Sequence, residues 1–516
     1  MGDVLAGVSV AIVLIPQSLA YSQIAGLPPH IGLFASALPP LLAALFASSP
    51  YLQTGPVALT SLLTIGALSS IEDAGTAEYI KLAALLAIVV GVARLLLGLL
   101  RMGYVAYFMS EPVVLGFTSA AAILIVSSQI PTMFDTSPPE GGTLEEAGWT
   151  LIHPDQWRLS AIVITLATIA IVFGGRRISA LFPGVLVAVI GAIAYNRLFD
   201  YQGSLVPDLP GGWISLSLDL PWDRAGSLIV PGIIIALVGF AEPASISRTF
   251  ATQDRIRWSA NRELVSQGVA NLASGISGGF PVGGSFSRSS LNRLAGAKTR
   301  ASGAVTGLVV LATLPIAPVL ENLPTAVLGA IVFAAVIKLI QLIPLVTMFK
   351  KSRAQALVSG GTFIATLALA PNVERAVVLG VVFAVVAHLY REMRFASDVE
   401  RHGGNLVFKP RGVLWFAATP ALEHHLNQAL DAEDGVRHVI IDLKEVGRLD
   451  YSGAVVIKNV IDDLEIRRVS VFVANIPDHS VRSIAVHLGG RSGVPDLDAI
   501  PRHVRHQHTL RRRETD

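Results

Sequence analysis

The stretch GGFPVGGSFSRSSLN, residues 278–292, interrupts a predominantly apolar chain with glycines, serines and an arginine. The chain has 516 residues, of which 52% are hydrophobic and only 15% are charged. This composition is too apolar for an ordinary soluble protein and indicates that most of the chain lies in a lipid bilayer. Because free backbone groups and charges are costly there, we expect this stretch to have a function.

Long apolar runs recur up to about residue 390, and many approach the ~20 residues that a helix needs to cross hydrocarbon. The clearest are Tyr79–Leu100, Glu111–Ile130, Ser160–Phe173, Phe182–Tyr195, Ser227–Gly239 and Ser302–Leu320. Together with shorter or interrupted runs, they predict roughly a dozen to fourteen helical segments. The first run, Val4–Leu19, lacks the basic region and cleavage site of a signal peptide, so we interpret it as a membrane helix.

The loops between these runs differ in charge. Residues 131–158 contain five acidic residues and one basic residue, and residues 200–224 are also acidic. Basic residues instead cluster at Arg176–Arg177, Arg248–Arg262, Lys298–Arg300, Lys350–Arg353 and Arg391–Arg394. Because positively charged loops stay in the cytoplasm, we expect a multi-pass protein of the cell (plasma or inner) membrane with both termini in the cytoplasm.

The composition changes after residue 394, where short apolar runs alternate with amphipathic helical patterns. Strands are predicted at 405–409, 413–417, 438–443 and 469–474, and helices at 421–432, 452–466 and 479–488. We therefore predict a transmembrane domain over residues 1–394, a small cytoplasmic α/β domain over residues 404–499 and a basic, histidine-rich tail over residues 500–516. We expect this tail to be solvated and to bind no metal.

Two interrupted segments lie in corresponding places of the membrane region. In YLQTGPVALTSLLTIGA, residues 51–67, Gly55–Pro56 precede an apolar helix that is too short to cross, and Pro281–Gly284 precede a second short helix. Each lies third in its half, and paired short segments of this kind are the best sequence indication of a transporter's binding site. The two halves, about 1–199 and 227–394, would then be inverted repeats.

The physical chemistry of these segments favours an anion. A helix that begins at mid-membrane presents unpaired N–H groups and the positive end of its dipole, so two such helices that face each other can bind negative charge. Arg288, in the first turn of the second helix, adds a full charge. The alternative is a pair of re-entrant turns whose glycines serve close packing, but their paired placement favours a site.

Glu242 lies within a membrane helix, because residues 229–240 are apolar and the basic loop begins only at Arg248. An intramembrane carboxylate indicates a functional site, since it can carry a proton. Two roles are open: Glu242 couples transport to protons, or it is a static counter-charge for Arg288. Sodium is the less favoured coupling ion, because the sequence places no further anionic oxygens beside Glu242.

At these residues the chain resembles one family. The segments IPQSLAYSQIAGLPPHIGLFAS, TGPVALTS, GFAEPASISRTFA, NRELVSQGVANLASGISGGFPVGGSFSRSSLN and AGAKTRASG resemble, in the family's order, the sulfate permease (SulP) family of anion transporters. The resemblance implies a polytopic α-helical protein of fourteen segments in two inverted repeats of seven. It also implies a core that carries the substrate, a gate against which the core moves, and a homodimer.

The resemblance further implies a binding site between the third and tenth segments. Its residues would be Gln17 and Tyr21 from the first segment, Gly55, Pro56, Val57 and Ala58 from the third, and Ser285, Phe286, Ser287 and Arg288 from the tenth. Glu242 matches a position at which proton-coupled relatives have glutamate, whereas sodium-driven bicarbonate carriers have aspartate. The resemblance therefore favours protons as the coupling ion.

The C-terminal region, with LDYSGA at residues 449–454, resembles the STAS domain of these transporters and of bacterial anti-sigma factor antagonists. In the antagonists the second serine of Asp-Ser-Ser-Gly is phosphorylated, and Ser452 matches that serine. Because Tyr451 departs from the pattern, we expect Ser452 to cap a helix, with phosphorylation as the alternative. A cytosolic partner of this domain is also implied.

These observations predict a secondary active transporter that moves a small inorganic or carboxylate anion, foremost sulfate, by proton symport. Sodium-driven bicarbonate transport and proton-driven dicarboxylate transport are alternatives, because helix ends and one arginine recognise charge more than identity. A membrane-anchored regulatory protein without transport is an alternative of another class, although an anchor needs neither interrupted helices nor Glu242. We expect no enzymatic activity, cofactor, metal site or nucleic-acid partner, and the chain has no cysteine.

Overall fold

The computed structural model of the chain describes residues 1–104, 110–179, 181–393, 396–402, 405–416, 418–431, 436–476 and 493–494. Two compact units divide the chain, residues 1–384 and residues 385–516. The first holds the predicted membrane region, and the second holds the predicted α/β domain.

The membrane region is helical. Its elements are α1 (Gly2–Ile24), α2 (Pro29–Phe46), β1 (Thr54–Gly55), α3 (Ala58–Leu68), α4 (Ala77–Leu99), α5 (Glu111–Phe134), α6 (Thr143–Ile152), α7 (Leu159–Ile178), α8 (Gly184–Phe199), α9 (Ala225–Asp254), α10 (Ala260–Ile276), β2 (Gly283–Gly284), α11 (Phe286–Leu294), α12 (Ala301–Thr313), α13 (Thr325–Val336), α14 (Leu342–Lys351), α15 (Arg353–Ala368) and α16 (Val373–Glu392). Within the described residues, nine helical stretches are long and apolar enough to cross a membrane. The prediction of a polytopic helical protein is confirmed.

A short helix takes the same place in each half of the described membrane region. When the ten-residue helices α6 and α14 are left out, seven helices precede residue 222 and seven follow it in the described part of the chain. The short helices α3 and α11 are the third of each set. This order agrees with the fourteen predicted segments, and the inverted relation of the halves stays a prediction.

The helices pack in two groups. Helices α1–α4 pack with α9–α12, and we call these helices the core group. Helices α5–α8 pack with α13–α15, and we call these the gate group. The groups meet where α1 contacts α8 and α13 and where α3 contacts α5. The predicted binding residues all belong to the core group.

Helix boundaries and buried hydroxyls follow local chemistry. Thr76 precedes α4, and its Oγ1 accepts a hydrogen bond from the N–H of Tyr79 at 3.0 Å, which caps the helix. Inside the helices, hydroxyls donate to carbonyls of the preceding turn, as Thr64 does to Thr60 at 2.7 Å. Such bonds matter because hydrocarbon offers no water to satisfy a polar group.

In its described residues, the second unit is a mixed sheet with two helices. Its elements are β3 (Ala396–His402), β4 (Asn405–Leu414), α17 (Thr419–Asp431), β5 (His438–Asp442), β6 (Val446–Leu449), α18 (Tyr451–Ile466), β7 (Ser470–Ala474) and β8 (Gly493–Val494). The strand order is β3-β4-β5-β7-β8, with β6 paired to β4; β3 is antiparallel to β4 and the other pairs are parallel. Apolar residues of α17 and α18 pack on one face of the sheet.

The observed strands correct two sequence predictions. Strand β3 pairs with β4 from Ala396 to His402, so this sheet begins before the predicted boundary at residue 404. The strand predicted at 405–409 and the first two residues of the one predicted at 413–417 belong to the single strand β4, which ends at Leu414, and β6 was not predicted. The helix predicted at 479–488, the boundary at 499 and the tail at 500–516 lie outside the described residues.

The cap of α18 is Asp450 and not Ser452. Asp450 Oδ1 accepts a hydrogen bond from the N–H of Gly453 at 2.7 Å. Ser452 is the second residue of α18, already inside the helix, so the predicted capping role was wrong. Phosphorylation of Ser452 stays a prediction.

Candidate anion-binding site

The two interrupted segments cross each other within the core group. β1 and β2 form an antiparallel ladder in which Thr54 pairs with Gly284 and Gly55 pairs with Gly283. Because the strands are antiparallel, the helices that follow them run in opposite directions from the crossing. The N-termini of α3 and α11 therefore face the same region.

One polar face of α10 holds the extended segment before β2. Asn271 pairs with the backbone of Val282: its Oδ1 accepts from the N–H at 2.9 Å, and its Nδ2 donates to the carbonyl at 3.1 Å. Ser274 Oγ donates to the carbonyl of Phe280 at 2.6 Å, and Gln267 Nε2 donates to Thr54 Oγ1 at 2.7 Å. These side chains satisfy backbone groups that a membrane interior would otherwise leave unpaired.

Both short helices begin without a side-chain cap. α3 has Val57 and α11 has Ser285 at the N-cap position, and neither side chain accepts a hydrogen bond from its helix. The first bond inside α3 runs from the N–H of Ser61 to Val57, and the first inside α11 runs from the N–H of Ser289 to Ser285. The earlier N–H groups of each helix need partners outside it, which suits them to an anion.

Arg288 lies between α1, α11 and the start of α3. Its side chain is fully buried, with 0% exposure. Nη2 donates to the carbonyl of Pro56 at 2.8 Å and Nη1 donates to Gln17 Oε1 at 3.3 Å, while buried Nε has no partner. No carboxylate in the described part of the chain forms an ion pair with this guanidinium, so its hydrogen-bond partners are neutral oxygens, while the charge of Glu242 interacts with it electrostatically from farther away.

Glu242 contacts the start of α11 and forms no ion pair with Arg288, although the two charges interact electrostatically. It lies within α9, where it is followed by Pro243. Glu242 Oε1 accepts a hydrogen bond from the N–H of Phe286, the first residue of α11, at 3.4 Å. The carboxylate therefore occupies one of the N–H groups at the anion-binding end of this helix.

The remaining predicted residues surround the crossing. Tyr21 is buried and lies close enough to Arg288 and Glu242 to interact electrostatically with both. A Cβ atom built on Gly55 would lie 3.6 Å from Arg288 Nη2, which is an ordinary contact distance, so Gly55 lies directly beside the guanidinium. Pro56, Val57 and Ala58 are buried at the start of α3.

The hydroxyls and the aromatic ring at the start of α11 differ in exposure. Ser285 and Ser287 contact each other, with 3.2 Å between their Oγ atoms, and Ser287 is partly exposed. Phe286 contributes its N–H group to the site, whereas its side chain is 52% exposed and stacks on Phe250. The sequence indicated Phe286 as a site residue. It did not indicate that the backbone of Phe286, and not its ring, faces the site.

Two buried charged residues of the core group were missed. Arg94, on α4, is fully buried, and the sequence signal was a single arginine within the apolar run 79–100. Glu263, at the start of α10, accepts hydrogen bonds from the N–H groups of Ser48 and Ser49 and from Trp258 Nε1, at 2.8–3.2 Å. All three donors bind Oε2, whereas Oε1 is buried without a partner; the bonds from Ser48 and Ser49 indicate a structural role for that residue.

A cavity of about 580 Å³ lies between the two helix groups. Gln23 and Leu62 line it from the core group, and Leu124 and Gln129 line it from the gate group. The predicted binding residues do not line this cavity, and Leu62 lies one turn after the start of α3. The cavity therefore adjoins the candidate site on the side toward which α3 runs.

Comparison with known proteins places this arrangement in one family. Residues 1–362 match the sulfate permease family and residues 396–489 match the STAS domain. The chain is 29% identical to "Sulfate transporter 4.1, chloroplastic" of Arabidopsis thaliana, over 96% of this chain and 77% of the relative. It is 34% identical to a "Probable sulfate transporter" of Mycobacterium tuberculosis, over 71% of this chain and 67% of the relative.

A solved structure shows the same fold. The murine Solute Carrier 26 family member A9 anion transporter matches 95% of this chain and 88% of its own, with a TM-score of 0.85 and 19% identity. The family match covers most of the membrane region, including β1, β2, α3 and α11. The matched residues therefore include the crossing, the uncapped helix ends and the buried Arg288. The chain belongs to the sulfate permease family of anion transporters and carries a C-terminal STAS domain.

Proposed function

We propose that the chain is a secondary active transporter that carries sulfate across the membrane together with protons. The anion would be held between the N-termini of α3 and α11. The observation that carries the proposal is the complete burial of Arg288 with only neutral oxygens as partners. A buried charge without an ion-pair partner costs several kcal/mol, and the charge of Glu242 reaches Arg288 only from beyond ion-pair distance. An anion at the adjacent helix ends offsets that cost, whereas helix packing alone needs no charge there.

Sulfate is the favoured anion. Both curated relatives described above are named sulfate transporters, and a tetrahedral dianion has four oxygens to accept from two helix ends and one guanidinium. Bicarbonate driven by sodium and dicarboxylates driven by protons are the rival substrates, because the same groups recognise any small anion.

The position of Glu242 supports coupling to protons. Its carboxylate accepts the N–H of Phe286 and places a negative charge at the end of α11 that would bind the anion. Protonation removes that negative charge, so it raises the affinity of the site for an anion. By linkage, anion binding favours protonation to the same extent. Protons and anion therefore bind together, which is the requirement for symport.

The arrangement of helices supports a motion of the core group against the gate group, by an elevator-like or rocking movement. In our proposal the membrane domain ends near residue 394 and the protein is a homodimer of the cell (plasma or inner) membrane with both termini in the cytoplasm. The STAS domain would bind a cytosolic partner. No enzymatic step is involved in this proposal.

A competition panel in proteoliposomes tests the substrate and the coupling ion. We expect labelled sulfate to accumulate when an inward proton gradient is imposed, and unlabelled sulfate to compete better than bicarbonate or a dicarboxylate. An inward sodium gradient should give no added uptake. Accumulation driven only by sodium would contradict proton coupling, and the absence of flux for every anion would favour a membrane-anchored regulatory protein.

A further inference from the structure

Arg94 is a second fully buried arginine of the core group. Its guanidinium donates three hydrogen bonds: from Nε to the carbonyl of Ala236 at 3.1 Å, from Nη1 to that of Val282 at 2.9 Å and from Nη2 to that of Ile235 at 3.2 Å. No carboxylate among the residues that the structure describes forms an ion pair with it. The full positive charge therefore remains in the interior.

This guanidinium lies beside the crossing of β1 and β2. Its acceptor Val282 immediately precedes β2. A Cβ atom built on Gly239 would lie 2.5 Å from Arg94 Nη2 and 3.3 Å from Cγ2 of Thr60. Because Thr60 belongs to the first turn of α3, Arg94 lies adjacent to the start of that helix. Arg94 approaches it from the side of α4 and α9, whereas Arg288 approaches it from α11.

The fixed charges around the crossing are positive in sum. Arg94 and Arg288 contribute two positive charges, and Glu242 contributes one negative charge until it is protonated. Glu263 is left out of this local sum because of its distance: its carboxylate lies beside Ser48 and Ser49, and Glu263 is about two helical turns along α10 from Asn271. The helix ends of α3 and α11 add further partial positive charge. With Glu242 protonated, a divalent anion balances the two arginines and a monovalent anion does not.

From this arrangement we infer that Arg94 is a specificity-determining residue that makes the site prefer divalent over monovalent anions. It acts as a positioning residue: it does not touch the anion, but it fixes the segment before β2 and adds its charge behind the start of α3. The inference rests on the proposed function, because it concerns the charge preference of the same site.

The inference has a quantitative signature. Coulomb energy is proportional to the charge of the ligand. If the loss of Arg94 lowers the affinity for a monoanion by some factor, it should lower the affinity for a dianion by the square of that factor. For example, a loss of about threefold for nitrate corresponds to a loss of about tenfold for sulfate. A purely structural defect would lower the affinities for both anions by similar factors.

The experiment measures inhibition of labelled sulfate uptake by unlabelled sulfate and by nitrate, in proteoliposomes that contain the full chain. Arg94→Gln removes the charge but keeps a donor for the carbonyls, and the sulfate-to-nitrate affinity ratio should fall about threefold. Arg94→Lys keeps the charge and should keep the ratio within about twofold of the wild type. Lys81→Gln is the matched control, because Lys81 lies on the same helix, is partly exposed and pairs with Asp219; its ratio should equal that of the wild type.

Equal losses for both anions in Arg94→Gln, or a collapsed ratio in Arg94→Lys, would overturn the inference. If Arg94→Gln does not reach the membrane, Arg94→Lys decides alone: a retained ratio supports a role of the charge, and a collapsed ratio contradicts it. Failure of the proposed function is a different result, since the wild type itself would then take up no sulfate.

Discussion

Replacement of Arg288 by alanine is expected to lower the rate of sulfate uptake about a hundredfold, because the site loses a charged donor and the counter-charge of the anion. The variant should still reach the membrane. Its partners are a side-chain amide and a carbonyl, Gln17 and Pro56, and removal of a buried charge without an ion-pair partner also removes its desolvation cost. The measurement is the initial rate of labelled sulfate uptake, normalised to the amount of inserted protein.

Two further variants frame this result. Arg288→Lys keeps the charge but not the planar fork that reaches Pro56 and Gln17, so we expect an intermediate rate. Lys298→Gln removes an exposed charge from the loop that follows α11 and should leave uptake unchanged. Uptake by Arg288→Ala at the wild-type rate would contradict the assignment of the site.

Replacement of Glu242 by glutamine is expected to abolish the dependence of uptake on the proton gradient. The glutamine carbonyl oxygen can still accept the N–H of Phe286, which Glu242 Oε1 accepts in the structure, so the start of α11 should keep its geometry. Glutamine cannot exchange a proton, so binding of anion and proton are no longer linked. The measurement compares sulfate uptake with and without an inward proton gradient, in the wild type and in the variant.

Glu263→Gln is the matched control, because Glu263 is also a buried carboxylate of the core group. Its carboxylate is bound to three N–H groups, so we expect less inserted protein but an unchanged response to the gradient. If Glu242→Gln kept the response of the wild type, Glu242 would be a static counter-charge instead.

The position of the candidate site could be predicted from the sequence because its signals are local. Glycine, proline, serine and arginine within apolar runs are unusual in a membrane protein, and they occur at the third segment of each half. The structure pairs these segments in one ladder and places Arg288 beside it. The signal for each segment comes from residue types within a few positions of it, and the third place of both segments indicated that they meet.

The contacts that complete the site could not be predicted, because they join distant parts of the chain. Arg94 reaches Val282 across 188 positions of the chain, and the sequence gives no indication of which carbonyls a buried arginine will meet. The side-chain amide of Asn271 binds both the N–H and the carbonyl of Val282, as a neighbouring strand would. The sequence does not show which polar residue of α10 has this role. Residue type alone also did not show that Asp450, two positions before Ser452, caps α18.

We propose above that an anion binds at the first turn of α11. Because the chain has no cysteine, a thiol introduced at this turn can test that binding directly. Ser287→Cys introduces a single thiol at a partly exposed position of that turn, and Ser69→Cys introduces one at the exposed far end of α3 as the control. The measurement is the rate of modification by a thiol reagent in detergent, with and without sulfate. We predict that sulfate slows modification at residue 287 but not at residue 69; equal rates at residue 287 with and without sulfate would contradict the account.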